Sequence, residues 1–269
     1  MSKMNRFLSF FKKDKKIREK ALTSHSHRIE YLLTENASSF DLSEAFRNLK
    51  ASISLSIPKK QEGEGTVIVM TSACPEDGKT TVSVNLALMF AMSEAKVVLV
   101  DADVRKGRIS KFFKMRSTPG LADYLSGLAS LGEIVQKYSR NENFSFITCG
   151  TRSPRPYELL ESDEMKNLLT ELKKQYDYII IDTPPLLLVS DALALTSHAD
   201  GTVIVCRHQV SYLSDISKTL STLSFAKANV LGFVVNDYKM HQTSSYDSNR
   251  YKYYSYCYDS SSETAQNKK

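Results

Sequence analysis

The stretch TVIVMTSACPEDGKTTVSVNLALMF, residues 66–90, decides the fold. Its first eight residues form a short, mostly apolar run rich in β-branched side chains, which is typical of a strand buried on both faces of a sheet. A polar turn with a glycine at position 78 follows, and the remaining residues have the apolar spacing of a helix. The segment therefore predicts a buried strand that passes through a tight loop directly into a helix.

Similar apolar runs recur along the chain and alternate with helical segments. Further strands are predicted at 96–103, 144–150, 177–185, 201–207 and 229–236, and helices at 41–56, within 107–137 and 153–176, at 190–198 and at 211–226. This alternation predicts an α/β fold with a mostly parallel sheet, helices on both faces and right-handed crossovers. In such sheets, ligands bind beyond the carboxyl ends of the strands.

The net charge of +6 is concentrated at the start of the chain. Residues 1–20 hold eight Lys/Arg and two Asp/Glu, and the other 249 residues are balanced with 28 of each sign. A basic nucleic-acid-binding domain is therefore not expected, and no nucleic-acid partner is predicted. The basic arm could lie on an anionic membrane surface or be a solvated extension.

Cysteine spacing and hydropathy limit the class of protein further. The four cysteines show no C-x-x-C pair, which argues against a disulfide framework or a zinc site. The apolar runs are much shorter than the roughly 20 residues that a membrane-spanning helix needs. We therefore expect a cytoplasmic protein.

The loop ACPEDGKTT, residues 73–81, has the spacing of the phosphate-binding motif G-x-x-x-x-G-K-[ST], with Ala73 in place of the first glycine. Backbone N–H groups in such a loop point at phosphate oxygens. Gly78 would let the backbone approach closely, Lys79 would reach the β and γ phosphates, and Thr80 would ligate Mg²⁺. The predicted nucleotide-binding residues of this loop are Cys74, Pro75, Glu76, Asp77, Gly78, Lys79, Thr80 and Thr81.

Two other predicted strands end in carboxylates. VVLVDADVR contains Asp101 and Asp103, and YIIIDTPP contains Asp182, whose neighbour Thr183 could assist it. Because an unpaired carboxylate is costly to bury, these acids indicate a cation nearby. The predicted Mg²⁺ ligands are Thr80, Asp101, Asp103 and Asp182.

The same segment supplies a predicted catalytic set. On a regular strand Asp101 and Asp103 share one face, so one could bind metal while the other accepts a proton from an attacking hydroxyl. Which acid takes which role stays open. Arg105 could neutralise developing charge or form a salt bridge. The predicted catalytic residues are Lys79, Asp101, Asp103 and Arg105.

The stretch YDSNRYKYYSYCYD, residues 246–259, contains six of the fourteen tyrosines. Residues 240–269 offer little other apolar surface, so a flexible tail is predicted. Because the chain also carries nucleotide-binding motifs, such a tail could enter the active site of a neighbouring copy, which would make its tyrosines candidate phosphoacceptors; an adhesive tail that docks without modification is the alternative. The predicted acceptors are Tyr246, Tyr251, Tyr253, Tyr254, Tyr256 and Tyr258.

Together, ACPEDGKTT, VVLVDADVR, YDYIIIDTPP and the tyrosine-rich tail resemble the bacterial tyrosine kinases, which are the phosphate-loop autokinases of capsule and exopolysaccharide synthesis. The resemblance covers roughly residues 41–258. It implies a P-loop fold of the MinD and ParA type, use of ATP and Mg²⁺, and a position for Asn236 near the adenine. Together with the charge and composition of the two ends, it predicts domains at 1–40 (basic arm), 41–239 (kinase domain) and 240–269 (tail).

The resemblance implies specific partners as well. A helix face with Glu44, Arg47 and Lys50 would contact the next subunit of a homo-oligomeric ring, for which an octamer is one size. Lys50 stands where the family has arginine and lacks its bidentate fork; a solvated charged helix face is the alternative. The cytoplasmic tail of a transmembrane activator, or chain-length regulator, would recruit the chain to the inner face of the plasma membrane, and a cognate phosphotyrosine phosphatase would reverse the modification.

Two other functions compete with the kinase. One is a positioning or partitioning ATPase of the deviant phosphate-loop class, which carries an extra lysine where this chain has Cys74. The other is a non-catalytic ATP-binding regulator of a membrane polysaccharide exporter. ATP turnover linked to covalent modification of tyrosine separates both from the kinase.

Overall fold

The computed structural model describes residues 40–58, 60 and 63–238. The basic arm, apart from its last residue, and the six candidate acceptor tyrosines lie outside these residues. The strands are β1 (Thr66–Ser72), β2 (Val97–Asp101), β3 (Val135–Lys137), β4 (Phe144–Ile147), β5 (Tyr178–Asp182), β6 (Gly201–Arg207) and β7 (Val230–Asn236). The helices are α1 (Phe40–Ser56), α2 (Lys79–Ala91), α3 (Ile109–Phe113), α4 (Leu121–Leu125), α5 (Leu131–Ile134), α6 (Pro156–Glu161), α7 (Asp163–Gln175), α8 (Asp191–Thr196) and α9 (Leu213–Phe225).

The strands form one seven-stranded sheet in the order β3-β4-β2-β5-β1-β6-β7. All neighbouring pairs are parallel except β3 and β4, which run antiparallel. The predicted α/β fold with a mostly parallel sheet is therefore confirmed. β1 lies between β5 and β6, so the loop that follows it opens beside the ends of both strands.

Alternating side chains of the central strands supply the two cores. Ile68 and Met70 of β1 pack with α1 and α2 on one face of the sheet, while Val67 and Val69 pack with α4, α7 and α8 on the other. All four side chains are fully buried, as the apolar pattern of the strand predicts for a sheet covered on both faces. A third apolar cluster joins β6 to α9.

The sequence reading missed the edge strand β3. Residues 107–137 were expected to form short helices, but the last three of them pair with β4. A three-residue strand that follows a four-residue helix is too short to show a period of its own. The error lies at the sheet edge, on the far side of β4 from the strands that carry the predicted site.

The register of the parallel strands brings the acidic strand ends together. Asp101 of β2 is the register partner of Asp182 of β5, which is also paired with Met70 of β1. The carboxyl ends of β1, β2 and β5 therefore meet at one edge of the sheet, where ligands of parallel α/β folds bind.

Candidate active site

The loop after β1 has the conformation that its glycine requires. Gly78 has φ +88°, a left-handed conformation that L side chains rarely adopt. A Cβ at this position would lie 1.8 Å from the side-chain amide nitrogen of Asn236. Lys79 then begins α2, whose N-terminal turn contains no acidic side chain. Open backbone N–H groups and the helix dipole therefore favour an anion at this end of α2.

The carboxylate of Asp182 accepts hydrogen bonds from three polar side chains of α2. The ammonium of Lys79 lies 2.7 Å from Asp182 Oδ1, and the hydroxyl of Thr80 donates to Oδ2 at 2.7 Å. Ser83 also donates to Oδ1, at 2.9 Å. The Lys79 and Asp182 side chains are 8% and 1% exposed, so this is a buried salt bridge. Ser83 was missed from the sequence, although it lies one helical turn after Lys79.

Asp101 is a second buried carboxylate one strand away. Burial, followed by the charge of Asp182, raises the pKa of Asp101 to about 7. Its Oδ2 accepts the backbone N–H of Ile109 at 3.0 Å. A carboxyl group with a pKa near the working pH is suited to accept a proton during a reaction.

Asp103 lies outside the strand that was predicted to contain it. β2 ends at Asp101, so the two acids are not consecutive members of one strand face. The N–H of Asp103 instead approaches Asp101 Oδ1 at 3.3 Å, and Asp103 Oδ1 accepts the N–H of Lys106 at 2.9 Å. Because carboxylates readily accept local backbone N–H groups, the chain turns sharply here and keeps both acids together.

Arg105 forms a salt bridge, one of the two roles left open by the sequence. Its Nε and Nη2 donate to the two carboxylate oxygens of Asp191 at 2.7 and 3.1 Å. Asp191 is 1% exposed at the start of α8 and has 43%-exposed Arg105 as its counter-ion. This bidentate pair ties the loop after β2 to α8, and Asp191 was not singled out from the sequence.

The acidic residue of the phosphate loop points into the protein. Asp77 is 1% exposed, and burial raises its pKa. Ser211 donates its hydroxyl to Asp77 Oδ1 at 2.7 Å, and the N–H of Cys74 donates to Oδ2 at 3.1 Å. Asp77 therefore shapes the loop through its side chain, and Ser211 is a functional candidate for which the sequence gave no motif.

Asn236 lies at the end of β7 beside the same loop. Its side-chain amide donates to the carbonyl of Asp77 at 3.0 Å. The position near adenine stays a prediction, while the contact with the phosphate loop is a finding of the structure. Thr183 donates its hydroxyl to the carbonyl of Met70 at 3.0 Å, so it braces β1 and does not extend the acidic cluster.

The other predicted loop residues lie in the same segment. Pro75 is exposed, Glu76 has φ +70°, and the carbonyl of Thr81 accepts a hydrogen bond from Asn85. The structure thus brings residues 74–81 together with Asp101, Asp103 and Asp182 at one sheet edge.

The predicted oligomer face on α1 is separate from this cluster. Arg47 forms an exposed ion pair with Glu44 three residues earlier. The ammonium of Lys50 lies 5.9 Å from the centre of the Phe90 ring. Both contacts occur within one chain, and the contact with a neighbouring subunit of a ring stays a prediction.

The donor set at the sheet edge fits Mg²⁺. Hydroxyl and carboxylate oxygens are its preferred ligands, and proteins usually bind it through one or two carboxylates together with substrate phosphates. Across residues 40–58, 60 and 63–238, no group of three or more His, Cys, Asp and Glu side chains could hold a metal ion by itself. Thr80 and Asp182, with Asp101 beside them, are the residues that would hold the ion next to a bound phosphate.

Comparisons with known proteins show which family the chain is similar to. The AAA domain family matches residues 65–231. The tyrosine-protein kinase YwqD of Bacillus subtilis is 36% identical over 204 residues, which cover 76% of this chain and 84% of YwqD. The tyrosine-protein kinase Etk of Escherichia coli K12 is 33% identical over 226 residues, which cover 82% of this chain and 30% of Etk. The chain thus spans less than a third of Etk but most of YwqD.

Solved structures show the same relationship. The kinase domain of Escherichia coli Etk has a TM-score of 0.67 at 32% identity, covering 76% of this chain and 80% of that domain. The septum site-determining protein MinD of Pyrococcus horikoshii, complexed with Mg-ADP, has a TM-score of 0.55 at 26% identity, covering 66% and 72% of the two chains.

The fold and the cluster around Lys79 and Asp182 define a phosphate-loop nucleotide-binding domain of the class that includes MinD. Within that class, the chain has higher sequence identity to YwqD and to the Etk kinase domain than to MinD, and these matches cover more of the chain. The chain belongs to the bacterial tyrosine kinase family. None of the helices in the described part of the chain is long and apolar enough to cross a membrane.

Proposed function

We propose that this chain is an ATP-dependent protein-tyrosine autokinase that phosphorylates the C-terminal tyrosine cluster of another copy. The observation that carries the proposal is the position of Asp101, a buried acid with a pKa near 7, as the register partner of Asp182, which binds Lys79 and Thr80. A proton acceptor and a phosphate-binding lysine at one sheet edge are what transfer of a phosphoryl group to a hydroxyl requires.

In the proposed reaction, the phenol oxygen of a tail tyrosine attacks the γ-phosphorus of ATP. A new oxygen–phosphorus bond forms, and the bond from the γ-phosphorus to the β–γ bridging oxygen breaks. ADP leaves with the electron pair of that bond, and the phenol proton passes to Asp101 or Asp103. Both acids are candidates for this role, because the N–H of Asp103 lies 3.3 Å from Asp101 Oδ1 and keeps the two residues together.

The phosphate loop and α2 bind and orient the nucleotide in this scheme. Lys79 exchanges its contact with Asp182 for the β and γ phosphates, and Asn236 holds the loop through the carbonyl of Asp77. Thr80 and Asp182 would hold Mg²⁺, which when bound would neutralise the charge that develops on the phosphates. Arg105 acts from a distance by fixing the loop that carries Asp103.

The cellular role is part of the same proposal. Relatives include a protein named as a putative tyrosine-protein kinase in the cps region of Klebsiella pneumoniae, at 34% identity over 215 residues. We infer regulation of capsule or exopolysaccharide synthesis and export, in a ring of copies. The chain is inferred to be cytoplasmic and recruited to the inner face of the plasma membrane by a transmembrane activator, with a phosphatase that removes the phosphates.

The ATPase alternative draws on the fold shared with MinD. In that reading, ATP is hydrolysed and the tyrosine cluster is a docking surface. Against it, the position of the extra lysine is occupied by Cys74, and the six tyrosines of residues 246–258 have no role in hydrolysis. The kinase proposal accounts for both the missing lysine and the tyrosine cluster.

The proposal is tested by incubating the purified chain with Mg·ATP and the cytoplasmic tail of the activator. Intact-mass and peptide mass spectrometry are expected to show a ladder of phosphates on residues 246–258. The ladder is expected to be absent from Lys79→Met, whose folding is checked by circular dichroism. ATP hydrolysis with an unmodified tail would overturn the kinase in favour of the ATPase.

A further inference from the structure

A dense run of basic residues follows the two acids of the site. RKGRISKFFKMR, residues 105–116, contains six Lys/Arg and no Asp/Glu, although the chain beyond its first 20 residues is balanced as a whole. Arg105 is bound to Asp191, and Arg116 donates to the carbonyl of Glu133 at 2.8 Å. The other four are exposed, and their side chains make no salt bridge or hydrogen bond with the described residues; they are Lys106, Arg108, Lys111 and Lys114, here called the basic rim.

The basic rim is attached directly to the catalytic acids. The backbone N–H of Lys106 donates to Asp103 at 2.9 Å, and the N–H of Ile109 donates to Asp101 at 3.0 Å. Between them, Gly107 is so closely packed that a Cβ would lie 2.7 Å from the Asp101 carboxylate. The rim therefore begins within a few ångströms of the proposed proton acceptors.

Three of the four rim cations lie in or beside a short helix. Arg108 precedes α3, Lys111 lies in it, and Lys114 follows it, so they recur every three residues. Residues at this spacing are neighbours on a helical surface. Ile109 and Ser110 are buried on the other side, which leaves the cations facing solvent. Positive side chains at this density, without an ion-pair partner among the described residues, attract an anion.

The unmodified tail does not carry the negative charge that would bind to the basic rim. Residues 246–258 contain one Asp, one Arg and one Lys, and so carry a net charge of +1. Each phosphate would add about −1.5 to −2. The first phosphate therefore changes the sign of this segment from positive to negative, and every later one makes it a better partner for the rim.

We propose that the basic rim binds phosphotyrosine in residues 246–258 of a second copy, so that a tail with one phosphate is held while its next tyrosine reacts. The inference rests on the proposed function and adds no covalent step to it. Phosphorylation would then be primed, meaning that a modified tail is a better substrate than an unmodified one.

The spacing of the tyrosines fits this arrangement. Tyr254, Tyr256 and Tyr258 are two residues apart. In an extended peptide, alternate residues are about 7 Å apart on the same side. When one tyrosine reaches the acids, a phosphate on the next alternate tyrosine can therefore contact a rim that begins three residues after Asp103.

Binding is tested with the dephosphorylated full chain and fluorescent peptides of residues 246–258. One peptide is unmodified, one carries phosphate on Tyr256 and Tyr258, and one has glutamate at both positions. Fluorescence anisotropy is expected to show the phosphopeptide bound at least about tenfold more tightly than the other two, with a steep loss at high salt. Arg108→Gln with Lys111→Gln is expected to remove most of this preference.

A matched control removes the same number of charges elsewhere. Lys218 and Lys227 are exposed on and just after α9, which follows β6, three strands away from β2. The double variant Lys218→Gln with Lys227→Gln is expected to retain the preference for phosphopeptide. Equal affinity for the three peptides, or an unchanged preference in the rim variant, would overturn the proposal. Equal affinity for the glutamate and phosphorylated peptides would show a surface for acidic peptides in general, and would also overturn it.

Intact-mass time courses with Mg·ATP separate this proposal from the proposed function. With the rim intact, singly phosphorylated chains are expected to be scarce beside unmodified and multiply phosphorylated ones. The rim variant is expected to accumulate the singly phosphorylated form. No phosphate on any chain would refute the kinase, whereas identical distributions for wild type and rim variant would refute only the rim.

Discussion

The ammonium of Lys79 and the carboxylate of Asp182 lie 2.7 Å apart, with side-chain exposures of 8% and 1%. The lysine expected to bind phosphate is thus paired with the acid expected to bind the metal. Both groups keep a partner when no nucleotide is bound, which avoids the cost of an isolated buried charge. On the proposed function, binding of Mg·ATP would exchange these partners, so that Lys79 contacts phosphate and Asp182 contacts the metal.

Replacement of Asp182 tests this pairing. Asp182→Asn leaves the buried ammonium of Lys79 without a counter-ion, so the free energy of unfolding of the nucleotide-free protein is expected to fall by about 3 kcal/mol. Urea denaturation measures the change. Glu171→Gln breaks the exposed ion pair with Lys174 and serves as the control, with an expected change below about 1 kcal/mol. An Asp182→Asn variant as stable as wild type would contradict the pairing.

The pKa of Asp101 predicts a pH effect on stability. Its folded-state pKa of about 7 lies above the ordinary value of 3.8, so the folded protein binds the extra proton between these limits. The stability that this extra proton contributes is fully present below pH 3.8, and it is lost as the pH rises through about 7. Asp101→Asn removes this dependence, and its stability relative to wild type is expected to be about 2 kcal/mol greater near pH 8 than near pH 5.

This comparison is made by urea denaturation in EDTA, so that no divalent cation alters the charge of the site. Exposed Glu142 supplies the control, because Glu142→Gln should leave the pH profile as it is in wild type. A constant difference between Asp101→Asn and wild type from pH 5 to pH 8 would show that Asp101 ionises normally in the folded protein.

A double-mutant cycle tests the role of Arg105. Arg105→Gln and Asp191→Asn each break the same bidentate pair. The loss of unfolding free energy in the double variant is therefore expected to be smaller than the sum of the two single losses, by about 1–3 kcal/mol. Phosphorylation rates are expected to fall similarly in both single variants, because either change releases the loop that carries Asp103. A loss of rate in Arg105→Gln alone would instead place Arg105 in direct contact with the reacting groups.

Ser211 is predicted to support ATP binding through Asp77. Ser211→Ala removes a hydrogen bond to a buried carboxylate and is expected to cost about 1–3 kcal/mol of stability. The KM for ATP is expected to rise more than kcat falls, because Asp77 belongs to the loop that is proposed to bind the phosphates of ATP. Steady-state kinetics measure both constants, and exposed Ser217 provides the control variant Ser217→Ala. Unchanged KM and stability in Ser211→Ala would rule out this support.

Local patterns predicted the parts of the fold that depend on local chemistry. The six parallel strands, including β1 and β5, follow from their apolar runs. The tight turn before α2 follows from the glycine of the phosphate loop. β3 could not be predicted, because its identity as a strand comes from pairing with β4 and not from its three residues.

The site was only partly predictable for a similar reason. Lys79, Asp101 and Asp182 lie at strand ends or loop positions that spacing alone marks. The contacts from Asp77 to Ser211 and from Arg105 to Asp191 join residues 134 and 86 positions apart. No periodicity in the sequence encodes such partners, which are set by the order of strands in the sheet.

The central claim is that this site transfers the γ-phosphate of ATP to a tyrosine of another copy. Its most direct test mixes unlabelled wild-type chain with ¹⁵N-labelled Lys79→Met chain in Mg·ATP and the activator tail, and then maps phosphate by the mass of each tail peptide. We predict phosphate on residues 246–258 of the labelled chain, which cannot modify itself. Consumption of ATP while the labelled tail remains unmodified would contradict the claim.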